Sequence, residues 1–280
     1  MPLFNSKLQN FIGPGIIFAG AAIGGSHLMS STTAGARFGF SLVGLILITN
    51  FLKYPFLLVG TRFTASTGMS LLEGFKKRNS LYLPIFLIVS LITGTFTIAA
   101  VSFVSGVLLT NIPLFSNFPP MDLSIMVLVS CGFILLIGKY NALDRLSKIL
   151  VSLLTILTFF AVISLITKGS LNKDLITTIY NSERSPWRLS NLTFLIPLMG
   201  WMPCPVELCV WPSLWMFSKN KVSKYKPTIK EAEFDFNLGY FLTIVTAIFF
   251  VTLGAITMYG TGGGMLSGSG VAFAQNLIKL

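Results

Sequence analysis

The stretch that decides the fold covers residues 13–40 and reads GPGIIFAGAAIGGSHLMSSTTAGARFGF. It is long and apolar enough to cross a bilayer, which takes about 20 residues of α-helix. Its centre, residues 24–27, reads GGSH and is followed by a run of hydroxyl side chains. Glycine and serine in a helix interior favour other backbone conformations. We therefore predict a membrane-spanning helix that is interrupted in its middle.

A second apolar stretch has the same character. Residues 195–212 read LIPLMGWMPCPVELCVWP, with Pro203 and Pro205 two positions apart and Gly200 shortly before them. Proline removes a backbone donor and collides with the preceding turn, so this span should also break. A broken helix in a membrane is tolerated where protein or a water-filled cavity satisfies its freed backbone groups. Paired interrupted helices are typical of the binding site of transporters built from inverted repeats.

The composition of the whole chain indicates a membrane protein. Of its 280 residues, 53% are hydrophobic and 10% are charged, whereas about 25% are charged in an average soluble domain. The net charge of +11 comes from 20 basic and 9 acidic residues. The basic residues lie in short segments between apolar runs, as membrane topology requires. These numbers exclude a soluble enzyme, a disordered tail and a nucleic-acid-binding domain, and they make the lipid bilayer the expected partner.

Seven membrane-spanning helices are predicted along the chain. They cover residues 11–37, 40–63, 83–110, 121–139, 145–167, 191–217 and 235–259. The runs are too long for the strands of a membrane β-barrel and lack their alternation, so the predicted fold class is an all-α polytopic membrane protein. Basic residues concentrate in the loops after the second, fourth and sixth spans. The positive-inside rule then places these loops and the N-terminus in the cytoplasm, with the chain in the cell (inner) membrane.

Two ionisable residues fall at the two breaks. His27 is the single histidine of the chain, and Glu207 follows Pro205 by two positions. Ionisable residues inside a membrane are costly and are functional candidates by default. The plainer alternative is a histidine that caps a helix end and a glutamate that pairs with a lysine. Arg62 of the second span is interpreted as a side chain that snorkels to the cytoplasmic end of the span. The deeper Lys53 is interpreted as a residue that forms a structural pair or snorkels, with a substrate role as the alternative.

Three segments resemble the NRAMP (natural-resistance-associated macrophage protein) family of metal ion transporters. That family opens with G-P-G, an alanine-rich half-helix, D-P-G-N and then A-G-A-x-F-G. This chain has GPG at residues 13–15 and AGARFG at residues 34–39, with matching spacing. TGMSLLEGF at residues 67–75 is similar to the family's loop after span two. In span six, MPCPVELC at residues 202–209 matches the family's M-P-H-N-x-x-x-H.

The resemblance implies a LeuT-type inverted-repeat fold in a single transmembrane domain over residues 1–280. Residues 1–170 would form the first five-helix repeat, and residues 190–280 a partial second repeat. The family has a ten- to twelve-span design, so the second repeat is expected to be incomplete by about three spans. The alternative to an active transporter is therefore a truncated, non-transporting membrane protein, or the relic of a full-length transporter.

The resemblance also locates a site, with departures from the family pattern. The family's metal-binding aspartate falls on Gly24, its asparagine falls on His27, and its methionine ligand is kept as Met202. The two histidines of span six are replaced by Cys204 and Cys209, and the acidic residues usual in span three are missing. A hard divalent cation would lose its main carboxylate at such a site.

The predicted site gathers the residues of both breaks. The expected substrate-binding residues are Gly24, Gly25, Ser26, His27, Met202, Cys204 and Glu207. Of these, Met202, Glu207 and His27 are candidate metal ligands, with the glutamate in place of the lost aspartate.

The function predicted from these residues is NRAMP-like secondary transport of a metal cation or small solute through a midplane site between spans one and six. A neutral or anionic organic solute is the alternative cargo, because half-helix N-termini favour anions. His27 is a candidate carrier of a coupling proton, since histidine titrates near neutral pH. No cofactor is expected. An enzyme is not expected either, because the sequence lacks H-E-x-x-H and any nucleophile–base pair.

Overall fold

The computed structural model describes residues 10–167 and 185–259, which fold into α-helices joined by short π- and 3-10-helical segments and loops. The predicted all-α membrane fold class is confirmed. Within these described residues, five segments are long and apolar enough to cross a membrane: Val43–Thr67, Tyr82–Leu109, Pro120–Thr167, Leu189–Cys209 and Ile229–Met258. The helices are α1 (Pro14–Ala22), α2 (Thr32–Phe38), α3 (Val43–Thr67), α4 (Leu71–Arg78), α5 (Tyr82–Leu109), α6 (Pro120–Thr167), α7 (Leu192–Trp201), α8 (Trp211–Ser223) and α9 (Ile229–Met258).

The first predicted span is divided at the expected place. Helix α1 starts with Pro14 in its first turn, where the fixed φ of proline suits a helix and its missing N–H costs nothing. It passes into a π-helical segment, Ile23–Ser31, in which Gly24 has a non-helical ψ of −125°. Helix α2 follows directly. Span one therefore consists of two half-helices around the glycine-rich centre.

The second predicted break is also present. Helix α7 ends at Trp201, and Met202 has extended backbone with a ψ of 132°. A 3-10 turn, Val206–Cys209, precedes helix α8, which carries a proline in its first turn. Pro203 and Pro205 lie between these elements, where neither has to fit into a helix. Span six is thus α7 and α8 with a proline-directed break between them.

Helix α6 contains the predicted fourth and fifth spans. Its 48 residues would extend about 72 Å as a straight helix, more than twice the hydrocarbon thickness of a bilayer. Lys139 divides the helix, with a φ of 48° and a ψ of −142°. The first half packs near α5, where Gly106 faces Ser124, and the second half packs near α1, where Gly20 faces Val151. The boundary predicted at residue 139 is confirmed.

Helix α9 packs along both halves of span one. Gly15 of α1 and Gly239 of α9 cross so closely that a Cβ on either would overlap the backbone of the other helix. Gly35 of α2 and Gly254 of α9 form a second crossing of the same kind. Small residues allow this close approach between membrane helices, where packing and hydrogen bonds replace the hydrophobic driving force. The two crossings fix α1 and α2 against α9, and the break of span one lies between the two crossings.

The short helix α4 lies in the loop after the second span and begins with a capping box. Glu73 N donates to Ser70 Oγ at 3.3 Å, and Ser70 N donates to Glu73 Oε2 at 2.7 Å. The Ser70 N–H and hydroxyl hold the pKa of the Glu73 carboxyl below its ordinary value. Lys76, Lys77 and Arg78 form the last turn, where positive charge suits the helix dipole. The loop thus has a defined structure beside the membrane.

Candidate functional site

The breaks of spans one and six face one cavity of about 420 Å³. Helix α5 and the first half of α6 complete its wall. Span one contributes Gly24, Gly25 and Ser26, and span six contributes residues that include Trp201, Glu207 and Trp211. The structure therefore brings together four of the residues predicted for the site, from two segments about 180 positions apart. We call this space the central cavity.

Among the described residues that line the central cavity, Glu207 is the acidic one. Its side chain lies in the 3-10 turn after the second break and is 2% exposed. Its Oε2 atom is buried without a hydrogen-bond partner. The same residue also lines a second cavity of about 300 Å³, together with Phe75, Tyr82 and Phe86. A buried carboxylate oxygen without a partner is costly, so a purely structural glutamate is expected to have a hydrogen-bond partner at each oxygen. The Oε2 atom of Glu207 does not meet this expectation.

Ser26 connects the two breaks. Its Oγ donates to Ala22 O at 2.5 Å within span one and lies 3.1 Å from Pro203 O in span six. The same oxygen lies 2.7 Å from His27 Nδ1. One hydroxyl therefore contacts the central cavity, the backbone of both breaks and the imidazole ring.

His27 points away from the central cavity. Its ring is fully buried, with Nδ1 2.8 Å from Ala22 O and Nε2 2.9 Å from Thr243 O of helix α9. It is not among the residues that line the cavity. In this arrangement the imidazole bridges the broken segment of span one to α9, and Ser26 is its contact toward the cavity.

Met202 and Cys204 pack into two hydrophobic clusters rather than lining the central cavity. Met202 is fully buried with Phe38 and Leu42, and Ser31 Oγ lies 3.9 Å from its Sδ. Cys204 is buried in a cluster that includes Phe18. Across residues 10–167 and 185–259, no group of three or more His, Cys, Asp or Glu side chains is placed to hold a metal ion.

The family model for natural resistance-associated macrophage protein-like (Nramp) proteins matches residues 15–278. The chain belongs to the Nramp family. Uncharacterized protein PM0681 of Pasteurella multocida (strain Pm70) is a relative, 38% identical over 250 residues that cover 89% of this chain and 57% of that protein. The divalent metal cation transporter MntH of Latilactobacillus sakei subsp. sakei (strain 23K) is 22% identical over 265 residues, covering 92% and 56%. The chain therefore spans a little over half the length of these two curated relatives.

A solved structure has the same fold. The Eremococcus coleocola manganese transporter, crystallised with an aromatic bis-isothiourea substituted compound, superposes with a TM-score of 0.67. The match covers 98% of this chain and 62% of the transporter, at 16% sequence identity. At that identity the likeness concerns the fold, and it confirms the transporter fold predicted for this Nramp chain.

The two basic residues of the second span have structural partners in the Nramp chain. Lys53 Nζ donates to Gly200 O at 2.6 Å, in the last turn of α7, where a cation suits the negative end of the helix dipole. Arg62 pairs with Glu233 of α9 at 2.5 Å. The Lys53 contact agrees with the structural interpretation of that residue, whereas the snorkelling of Arg62 stays a prediction.

Asp235 is the important residue that the sequence analysis missed. The seventh predicted span, residues 235–259, placed this carboxylate at its edge. Helix α9 begins at Ile229, before the predicted edge of the span, so Asp235 lies within it and is 2% exposed. Its carboxylate accepts from Gly13 N at 3.0 Å and Gly15 N at 2.6 Å. The sequence signal that could have indicated this contact is the G-P-G motif at the start of span one. It marks a helix N-terminus, whose free amides need a hydrogen-bond acceptor.

Proposed function

We propose that this chain performs the transport step of an Nramp-type secondary transporter, moving a metal cation or a small solute through the central cavity. The observation that carries the proposal is that the breaks of spans one and six face the same cavity. In this proposal the two broken spans rock against the remaining helices and expose the cavity to each side of the membrane in turn. The N-terminus and the basic loops would lie in the cytoplasm, with the chain in the cell (inner) membrane.

We further propose that the cargo is positively charged. MntH is named a divalent metal cation transporter and the Eremococcus protein a manganese transporter. Glu207, with its unpartnered Oε2, would be the group that receives the positive charge. For a metal ion, Met202 and His27 would have to turn toward the cavity to join it as ligands.

The alternative is a non-transporting membrane protein. The observation that favours it is length, because the chain spans 57% and 56% of its two curated relatives. The predicted partial second repeat, residues 190–280, extends into residues 260–280, which lie outside the described residues. An uptake measurement on this chain separates the two functions.

Blocking the central cavity should stop transport. A Cβ on Gly24 would meet no atom within 4 Å, and Gly24 lines the central cavity, so a bulky side chain at this position is expected to occupy cavity space. We expect Gly24→Trp to reduce uptake by at least about tenfold, equivalent to about 1.4 kcal/mol on the barrier. The measurement is uptake of Mn²⁺ and of small organic solutes into proteoliposomes that contain the chain.

Gly44→Trp is the matched control. Gly44 also has open space around it, but on the exposed side of α3, and this variant should transport as the wild type does. Unchanged uptake by Gly24→Trp would contradict the proposed route. Absence of uptake by the wild-type chain for every solute tested would favour the non-transporting alternative.

We also propose that His27 carries a coupling proton. Ser26 supports this proposal because its hydroxyl lines the central cavity and lies 2.7 Å from His27 Nδ1. Wild-type uptake should then rise when the outside is made more acidic than the lumen, whereas His27→Gln should respond little to the gradient. The test compares initial uptake rates with and without a pH gradient. Identical gradient dependence in the two proteins would exclude this role.

A further inference from the structure

We infer that the central cavity is built for a small primary ammonium ion, an organic cation, rather than for a bare metal ion. The inference rests on the proposed function, because it names the substrate class of the same cavity. It depends on the charge of the wall, the orientation of its hydroxyls, its aromatic faces and its size.

The charge of the wall selects a cation. Among the described residues that line the central cavity, Glu207 is the acidic side chain and none is lysine, arginine or histidine. The Oε2 atom of this glutamate is buried and unpartnered. A bound cation would supply the missing partner, whereas an anion would meet a like charge in a site of low dielectric constant.

Three of the hydroxyls that line the central cavity can serve as acceptors for a ligand. Ser102 donates to Ala99 O at 3.1 Å and Ser105 donates to Val101 O at 2.9 Å, each within its own helix. Ser26 Oγ has Ala22 O at 2.5 Å and Pro203 O at 3.1 Å as backbone acceptors for its one hydrogen. In all three the hydrogen is used by a backbone carbonyl, which leaves oxygen lone pairs for a ligand. A primary ammonium has three N–H donors and no acceptor, so it matches this wall.

Aromatic rings lie on both sides of Glu207. Trp201 and Trp211 line the central cavity, and Phe75, Tyr82 and Phe86 line the second cavity. An alkylammonium ion is attracted to the face of an aromatic ring. The absence of a side chain on Gly25 makes room for the Trp201 ring, since a Cβ there would lie 3.1 Å from it. Aromatic side chains therefore line both of the cavities that Glu207 borders.

The cavity suits an organic ion better than a metal ion. A hard divalent cation takes about six to eight oxygen ligands, and the wall offers one carboxylate and the three serine hydroxyls. Gly24, where the family pattern has its aspartate, leaves open space instead. The volume of about 420 Å³ lies within the roughly 300–1,000 Å³ range of pockets for organic ligands. Apolar residues such as Ile98, Val101 and Leu128 would contact the alkyl chain.

The test is a binding measurement with four probes on the full chain in detergent. The probes are n-butylammonium, n-butanol, n-butyrate and Mn²⁺, so that three share one alkyl chain and differ in charge. Tryptophan fluorescence and titration calorimetry should show n-butylammonium binding at least about tenfold more tightly than the others, a difference of about 1.4 kcal/mol. Tighter binding of n-butyrate or Mn²⁺, or equal binding of n-butanol, would overturn the inference.

Variants test the named contacts. Glu207→Gln should weaken n-butylammonium binding by at least about tenfold and leave n-butanol binding unchanged. Glu233→Gln, which removes a carboxylate paired with Arg62 elsewhere on the protein, is the matched control and should bind as the wild type does. Trp201→Leu should weaken binding, and Trp201→Phe should restore most of it. Equal losses in Glu207→Gln and Glu233→Gln would contradict the assignment.

A gain of function provides a second check that does not depend on a loss. Gly24→Asp adds a second carboxylate to the wall of the cavity that Glu207 lines, and it should shift the preference of the cavity from n-butylammonium toward Mn²⁺. The outcomes separate the inference from the proposed function. Uptake of Mn²⁺ without binding of n-butylammonium would overturn the inference and leave transport standing. Binding of n-butylammonium without uptake of any solute would support the inference and overturn the proposed function.

Discussion

Replacing Asp235 with alanine should lower the free energy of unfolding by about 3 kcal/mol, because hydrogen bonds to a charged group contribute about 1.5–3 kcal/mol each. The carboxylate accepts from Gly13 N at 3.0 Å and from Gly15 N at 2.6 Å. These amides lie at the N-terminus of α1, where a negative charge also suits the helix dipole. Without the carboxylate, both buried donors lose their acceptor. The first half of span one would then be the least firmly held part of the broken helix.

The measurement is thermal unfolding of the purified chain in detergent. A loss of about 3 kcal/mol corresponds to a fall in Tm of roughly 6–12 °C for a protein of this size class. Asp122→Ala removes an exposed carboxylate from the first turn of α6 and should change stability by less than about 0.5 kcal/mol. Asp235→Asn keeps one acceptor oxygen and should fall between the wild type and the alanine variant. A Tm for Asp235→Ala equal to that of the wild type would show that the contact has no net stabilising effect.

Replacing Gly254 with leucine should destabilise the fold by about 3 kcal/mol or more, at the upper end of the cost of overpacking a core. A Cβ at this position would overlap the backbone carbonyl of Thr32 in span one. The obstacle is backbone rather than a flexible side chain, so α9 and α2 would have to move apart. We expect a lower yield of folded protein and a Tm reduced by at least roughly 6 °C.

Gly132→Leu is the control for this substitution. Gly132 lies on the exposed face of α6, and a Cβ there would meet no atom within 4 Å. Leucine also favours helix over glycine by about 1 kcal/mol, so this variant should be as stable as the wild type or slightly more stable. If both leucine variants unfolded at the wild-type temperature, the close crossing of α9 with span one would be wrong.

The sequence predicted the features that depend on a few neighbouring residues. The glycines at 24 and 25 and the prolines at 203 and 205 interrupt their helices where expected, because each acts on its own backbone. The turn between the fourth and fifth spans falls at Lys139, inside the charged segment that separates two apolar runs. Long apolar runs and basic loops likewise determined the all-α membrane class.

The tertiary structure decided where side chains point and which distant segments meet. His27 and Ser26 are adjacent in sequence, yet the first contacts Thr243 on α9 and the second lines the central cavity. Asp235 accepts hydrogen bonds from the α1 amides of Gly13 and Gly15, which lie more than 200 positions away in the sequence. A local sequence pattern cannot predict a contact over that separation. The sequence by itself determined that the chain is a membrane protein with two broken spans, since backbone propensity is local. The packing of α9 on span one decided which polar groups of that span are satisfied, because Asp235 and Thr243 of α9 supply their acceptors or partners.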